Sequence, residues 1–165
     1  MNKNLFSILN KIAFFSKFTD TEKRLLLSMT YFLARFRDGD TIIRENDKDQ
    51  NSLFVMLRGS ARVTKNDTPE KTLNTIKPGD VFGEISFLLK TQRTSNVIAT
   101  DETVCFVLRN QYMEELPMHL QIKIKDCLIE ILVNRLVRLD KQNVSSNVLD
   151  EGVTIAPDEP NPNVS

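Results

Sequence analysis

The chain has 165 residues, with 22 Lys plus Arg balanced by 22 Asp plus Glu. That length suits one domain with a real hydrophobic core, and a formal net charge of zero removes any general attraction to nucleic acid. The balance is uneven: the segment after Asn143 holds Asp150, Glu151, Asp158 and Glu159 and no base, leaving a mild, dispersed positive excess on the rest.

Residues 5–33 have helical spacing, with Leu5, Ile8, Leu9 and Ile12 recurring at three and four. Thr19-Asp20-Thr21-Glu22 is a capping box for a second helix, and Phe18 before it suits a hydrophobic staple. A helical hairpin is therefore expected first. Over 34–108 the period changes, and the short runs LARF, TIIRE, SLFVMLR, SARVTK, KTLNTI, DVF, SNVIAT and TVCFVL alternate with Gly, Asp, Asn and Pro turn chemistry. Eight short strands at that spacing predict a sandwich or barrel of jelly-roll type, so the fold class is α+β. Their order is not derivable from the spacing.

Helical periodicity returns over 110–142: Asn110 fits an N-cap, Pro117 fits the first turn of a long helix, and that helix is expected to end near Lys141. Leu120, Ile124, Leu128, Leu132, Leu136 and Leu139 form one stripe, widened by Ile122, Ile129, Val133 and Val137. So broad a stripe serves either one thick core contact or two neighbours, the second being a partner subunit or a ligand lid. Residues 143–165 read as an acidic, flexible tail.

One segment departs from the strand pattern. In FGEISFLLKTQRTS, residues 82–95, Glu84 opens a run with the apolar spacing of one or two helical turns, and Arg93 closes it. Gly83 leaves room for close approach to the backbone, and a helix start with a returning arginine suits one small anion. A carboxylate only accepts hydrogen bonds, so Glu84 suits a sugar hydroxyl; anion plus hydroxyl describes a ribose phosphate. A salt bridge between Glu84 and Arg93 that staples the insertion explains the same residues equally well.

FGEISFLLKTQRTSNV resembles the phosphate-binding cassette of the cyclic nucleotide-binding domains, the family of kinase regulatory subunits, cyclic-nucleotide-gated channels and the bacterial catabolite activator. FRDGDTIIRE, SLFVMLRGSARV, IKPGDVFGE, TVCFVL and the long final helix extend the resemblance over roughly residues 8–142. It implies a jelly roll with N-terminal helices, a short phosphate-binding helix and a long C-terminal helix. The ligand it implies is cAMP or cGMP, with no further cofactor. Glu84 would accept from the ribose 2′-hydroxyl and Arg93 would pair with the cyclic phosphate. Gly83 and Ser86 would bring backbone groups, Thr94 a hydroxyl and an N–H, and Ser95 completes the set; Ile85 and Phe87 would face the barrel. Leu57, Gly59 and Val81 match family positions on the pocket wall and turns. On the final helix, Asp140 could pair with guanine, and Arg135 or Arg138 could stack on either base. Each of the three has an ordinary helix-surface role as its alternative, and the balance leans to cAMP.

Two departures stand out. The loop Glu45-Asn46-Asp47-Lys48-Asp49-Gln50-Asn51 is about one residue longer than the family's Glu-Gly-Asp turn and lacks its glycine, and it is expected to lie away from the phosphate. Lys90 and Gln92 stand where glycine and proline are frequent.

A cytoplasmic regulatory domain is the expectation, acting on a protein partner through its last helices, with a homodimer through the long helix as one arrangement. A fold relic that only docks or dimerises is the alternative. No recognition-helix pattern follows Lys141, so direct DNA binding is not expected. Neither is catalysis: His119 is the lone histidine, and Cys105 and Cys127 lack CxxC spacing and read as buried free thiols. No metal site is expected. No apolar run of about 18 residues suggests a membrane span, and the N-terminus lacks a signal peptide's core.

Overall fold

The computed structural model describes residues 3–48 and 51–150. Two compact units divide the chain, Met1–Leu128 and Ile129–Ser165.

The first unit begins with the expected hairpin, α1 (Lys3–Lys11) and α2 (Asp20–Ser28), with a 3-10 turn at Ala13–Phe15 between them. The capping box forms: Thr19 N–H donates to the Glu22 carboxylate at 2.7 Å, and Glu22 N–H donates to Thr19 Oγ1 at 3.3 Å. Lys23 Nζ donates to Asn10 Oδ1 at 2.8 Å, and the Arg24 guanidinium lies 4.4 Å from the Phe6 ring centre, so both contacts join the helices. α2 stops short of the expected 33, because Thr30–Phe32 forms a 3-10 turn of weak helix formers.

All eight expected strands are present: β1 (Leu33–Phe36), β2 (Thr41–Ile43), β3 (Ser52–Arg58), β4 (Ala61–Thr64), β5 (Asn74–Ile76), β6 (Val81–Phe82), β7 (Asn96–Ala99) and β8 (Thr103–Arg109). They make two antiparallel sheets, ordered β1-β8-β3-β6 and β2-β7-β4-β5. Consecutive strands thus mostly lie in different sheets, which is why spacing alone could not order them. Ile43, Phe54, Met56, Ile76, Phe82, Val97 and Val107 fill the space between the sheets. Cys105 belongs to the same core, 4.0 Å from Met56 Sδ; burial pushes its thiol up to about 12, so it packs as a small apolar residue.

The other face of β3 and β8 is also buried, through Leu53, Val55, Leu57, Phe106 and Leu108. Phe106 meets Phe15 and Phe32, each at 5.3 Å between ring centres, so the N-terminal segment covers this sheet with aromatic side chains. Burial on both faces explains the unbroken apolar runs of SLFVML and VCFVL. Between β3 and β4, Gly59 has φ +89°, and a Cβ there would stand 2.5 Å from the Glu102 carbonyl oxygen. This turn belongs to glycine for both reasons.

α3 (Glu84–Leu89) is inserted between β6 and β7 and is bracketed by two left-handed residues, Gly83 at φ 73° and Lys90 at φ 53°. α4 (Asn110–Met113) follows β8, and α5 (Met118–Asp150) follows Pro117, whose carbonyl accepts from Leu120 and Gln121. Leu120, Ile124 and Leu128 are fully buried. Lys123 Nζ donates to both Glu22 oxygens at 2.8 Å, and His119 Nε2 lies 3.5 Å from the same carboxylate. The capping glutamate of α2 therefore also clasps the first turns of α5.

Within the second unit Ile129, Val133, Leu136, Val137 and Leu139 are exposed. α5 continues to Asp150, past the expected end near Lys141; the first strong helix breaker after that point is Gly152. The remainder of the expected tail, 151–165, lies outside the described residues.

Two substitutions test these assignments. Lys90 holds a left-handed backbone that costs an L-residue about 1 kcal/mol, so Lys90→Gly should raise stability by up to about that amount in urea unfolding. For Glu22, burial raises the pKa, but hydrogen bonds from Lys123 and the Thr19 backbone outweigh it and hold the carboxyl below its usual 4.5. A folded-state pKa below the unfolded one stabilises above about pH 4.5 and is lost as pH falls through the folded value. Glu22→Gln should therefore lower the urea midpoint at neutral pH, with the gap to the parent closing in acid; a gap constant with pH would remove the clasp from the account.

Candidate functional site

The insertion that carries α3 is inside out for a helix packed on a core. Residues 85, 88 and 89 share one face by the 3.6-residue period, and Ile85, Leu88 and Leu89 are exposed at 45%, 36% and 66%. The opposite face turns Glu84, Ser86 and Phe87 inward, each buried. Ile85 therefore does not face the barrel as the family resemblance implied, whereas Phe87 does; a helix of one and a half turns cannot bury residues on both sides. Phe87 is held by its N–H on the Gly83 carbonyl at 3.2 Å and by its own carbonyl, which accepts from Asn110 Nδ2 at 3.3 Å. The Ser86 hydroxyl closes the far end by donating to the Gln92 carbonyl at 3.1 Å.

Arg93 returns into the space under α3 and is 3% exposed. Its Nη1 donates to the Gly83 carbonyl at 3.0 Å and its Nη2 to the Ser52 carbonyl at 2.8 Å, with the guanidinium 5.9 Å from the Phe54 ring centre. Burial lowers its pKa, and the nearby carboxylates of Asp47 and Glu84 oppose that loss. A guanidinium keeps its charge through such a shift. Gly83 is required here by contact: a Cβ on it would lie 2.8 Å from Arg93 Nη1, 3.0 Å from the Ser52 carbonyl oxygen and 3.1 Å from Ile43 Cδ1. The structure thus gathers Gly83, Glu84, Ser86 and Arg93 from the predicted set.

Thr94 and Ser95 continue from Arg93 toward β7; Thr94 is exposed, and its carbonyl accepts from Lys65 Nζ. Arg135, Arg138 and Asp140 are exposed on the part of α5 in the second unit. Of the positions assigned to the pocket wall and turns, Leu57 and Val81 are buried and Gly59 occupies the β3–β4 turn.

The loop after β2 was expected to lie away from this site, and it does not. Asn46 N–H donates to the Arg93 carbonyl at 2.9 Å, and Arg93 N–H donates to the Asp47 carbonyl at 3.1 Å, a reciprocal pair that clips the loop to the cassette. The missing glycine is replaced by Asn46, which takes the left-handed conformation at φ 68° that asparagine tolerates well. Glu45 fixes the turn further: its N–H donates to Asn96 Oδ1 at 2.9 Å, and its carboxylate accepts from Asn66 N–H at 2.6 Å and from Lys65 Nζ at 3.3 Å. Asp47, Ser52 and Phe54 lie against Arg93 and Lys65 against Thr94, and sequence reasoning named none of them as candidates. Asp47 and Arg93 are far apart in the chain, and no local pattern announces their pairing.

Beside Asp47 a cavity of about 450 Å³ opens, lined by residues that include Phe36, Ile42, Arg44, Ser52 and Arg109. Among the described residues no helix is long and apolar enough to cross a membrane.

A cGMP-dependent protein kinase of Toxoplasma gondii is 24% identical over 125 residues, which is 75% of this chain and 12% of the kinase. Cyclic GMP-binding protein C of Dictyostelium discoideum is 32% identical over 89 residues, 48% of this chain and 3% of that protein. The chain therefore spans a small part of these relatives. The catabolite activator protein of Thermus thermophilus shares the fold, with a TM-score of 0.65 at 23% identity, over 83% of this chain and 62% of that one. The family model described as the cyclic nucleotide-binding domain matches residues 33–119, more than half of the chain, and takes in both sheets and the α3 cassette. The chain belongs to the cyclic nucleotide-binding domain family.

Proposed function

We propose that the chain is a regulatory domain that binds a cyclic nucleotide, cAMP or cGMP, and passes the event to a protein partner through its C-terminal helices. The observation that carries the reading is the gathering of buried Glu84, Ser86 and Arg93 around Gly83, in an insertion that leaves Ile85, Leu88 and Leu89 outside. A fold that needed α3 only for packing would bury Ile85 and Leu89 and expose the acid. Instead a fork-shaped cation and a pure acceptor lie side by side, which suits a phosphate next to a sugar hydroxyl. Arg93 pairs with the phosphate and Glu84 accepts from the 2′-hydroxyl, while Gly83, Ser86, Thr94 and Ser95 supply backbone and hydroxyl groups along the cassette. Arg135, Arg138 and Asp140 are the candidates for base contacts.

Signalling then follows from differential stability: a ligand shifts the helices after Leu108 only so far as it favours one of their arrangements. The exposed Ile129, Val133, Leu136 and Val137 give the second unit an apolar face for a protein partner or for the same helix of a second copy.

One observation favours the docking-module alternative. Arg93 already donates to the Gly83 and Ser52 carbonyls, so it has a structural role that needs no ligand. Calorimetric titration with cAMP and with cGMP separates the readings. The parent protein should bind at least one of them, and Arg93→Lys, which keeps a cation and loses the fork, should bind it about tenfold or more weakly, roughly 1.4 kcal/mol. Absence of heat from both nucleotides on the folded parent would leave the docking module as the function.

A further inference from the structure

β1 is an edge of one sheet and β2 an edge of the other, and both line the cavity of about 450 Å³, at the end where β3 begins and β8 stops. Its floor is the core between the sheets: Ile42, Phe54 and Val107 are buried there, with Ala34 and Phe36 half-buried against them. Its mouth is cationic. Period two puts Cys105, Val107 and Arg109 on one face of β8, the face that fills the space between the sheets, so an arginine stands where an apolar residue would close the core. Arg44 follows the buried pair Ile42 and Ile43 directly, and both arginines are exposed. Among the described residues neither guanidinium has an ion-pair partner, and Asp47 is the one acid that lines the cavity against these two cations.

We propose that this cavity is a second binding site, separate from the cassette, for a small monocarboxylate with an aliphatic body. Two guanidiniums against one acid leave one positive charge, which one carboxylate neutralises in fork geometry. The apolar body then takes the place of water over Phe36, Ile42, Phe54 and Val107, in a volume within the roughly 300 to 1,000 Å³ of small-molecule pockets. Gly83, Glu84, Ser86, Arg93, Thr94 and Ser95 do not line it. Ser52 and Phe54 form the partition: they line the cavity on one side, and on the other the Ser52 carbonyl accepts from Arg93 and the Phe54 ring lies 5.9 Å from its guanidinium. The site therefore stands whether or not the cassette binds a nucleotide.

The test titrates the full chain with octanoate, 1-octanol and inorganic phosphate by calorimetry, and follows methyl resonances by NMR. Octanoate should bind saturably at one site, with 1-octanol and phosphate each about tenfold weaker or more, because each lacks one half of the recognition. The methyls of Ile42 and Val107 should shift, while those of Ile85 and Leu89 on the exposed face of α3 stay in place. Arg109→Gln and Arg44→Gln should each weaken octanoate about tenfold. Both side chains are exposed, so the fold tolerates the changes; Ala34→Leu, which fills the mouth without altering charge, should weaken it as well. No saturable binding, equal affinity for 1-octanol, or indifference to both arginine variants overturns the site. Displacement of octanoate by a nucleotide that the parent binds also overturns it, by making the cavity part of the cassette site, and leaves the nucleotide-binding reading in place. A parent that binds octanoate as described and neither nucleotide keeps this site and loses that reading.

Discussion

A buried guanidinium organises this molecule. Arg93 sits beneath α3 with two donors spent on the carbonyls of Gly83 and Ser52 and its plane near Phe54. Those carbonyls belong to the start of the cassette and the start of β3, so a single side chain ties the insertion to the sheet that the N-terminal helices cover. A charge taken out of water must be met by acceptors, and here they are backbone carbonyls of two separate elements, while the nearby carboxylates of Asp47 and Glu84 favour the charged form. Gly83 has no side chain because there is no room for one between Arg93 and Ser52.

The same arrangement explains why α3 shows its apolar side to solvent. Its inner face is committed to Glu84 and Ser86, and only Phe87 anchors it by packing. The rest of its attachment is polar, through the bonds from Arg93 to Gly83, Ser86 to Gln92 and Asn110 to Phe87. A segment held by a few directional bonds and one aromatic ring is easier to reposition than one held by a broad apolar contact. That property suits the proposed role, in which a bound ligand rearranges the contacts of this element.

Much of the fold was legible because its signals are local. The Thr19–Glu22 box, the change of period near Leu33, the eight strands and the return to helical spacing at Asn110 each depend on neighbours in the chain. Glu84 and Arg93 were legible for a related reason: Gly83, the short apolar run and the two charges lie within a dozen residues, in a pattern that the family repeats. Ile85 was misjudged because its inward placement was carried over from the family resemblance, while spacing gives the faces of a short helix and leaves open which of them turns inward. The loop at Asp47 was misjudged because its partner is Arg93, reached only when β2 and β7 pair as neighbours in one sheet.

The amino-acid sequence by itself determined the kinds of element, the strand boundaries to within a few residues, turn positions that demand glycine, and an acid and a base close enough to form one site. Tertiary structure alone decided the strand order β1-β8-β3-β6 and β2-β7-β4-β5, the inward face of α3, and the acceptors that Arg93 finds. The reason is physical: backbone propensity and side-chain period act over a few residues, whereas the burial of a charge is settled by whichever acceptors the packed sheets bring to it.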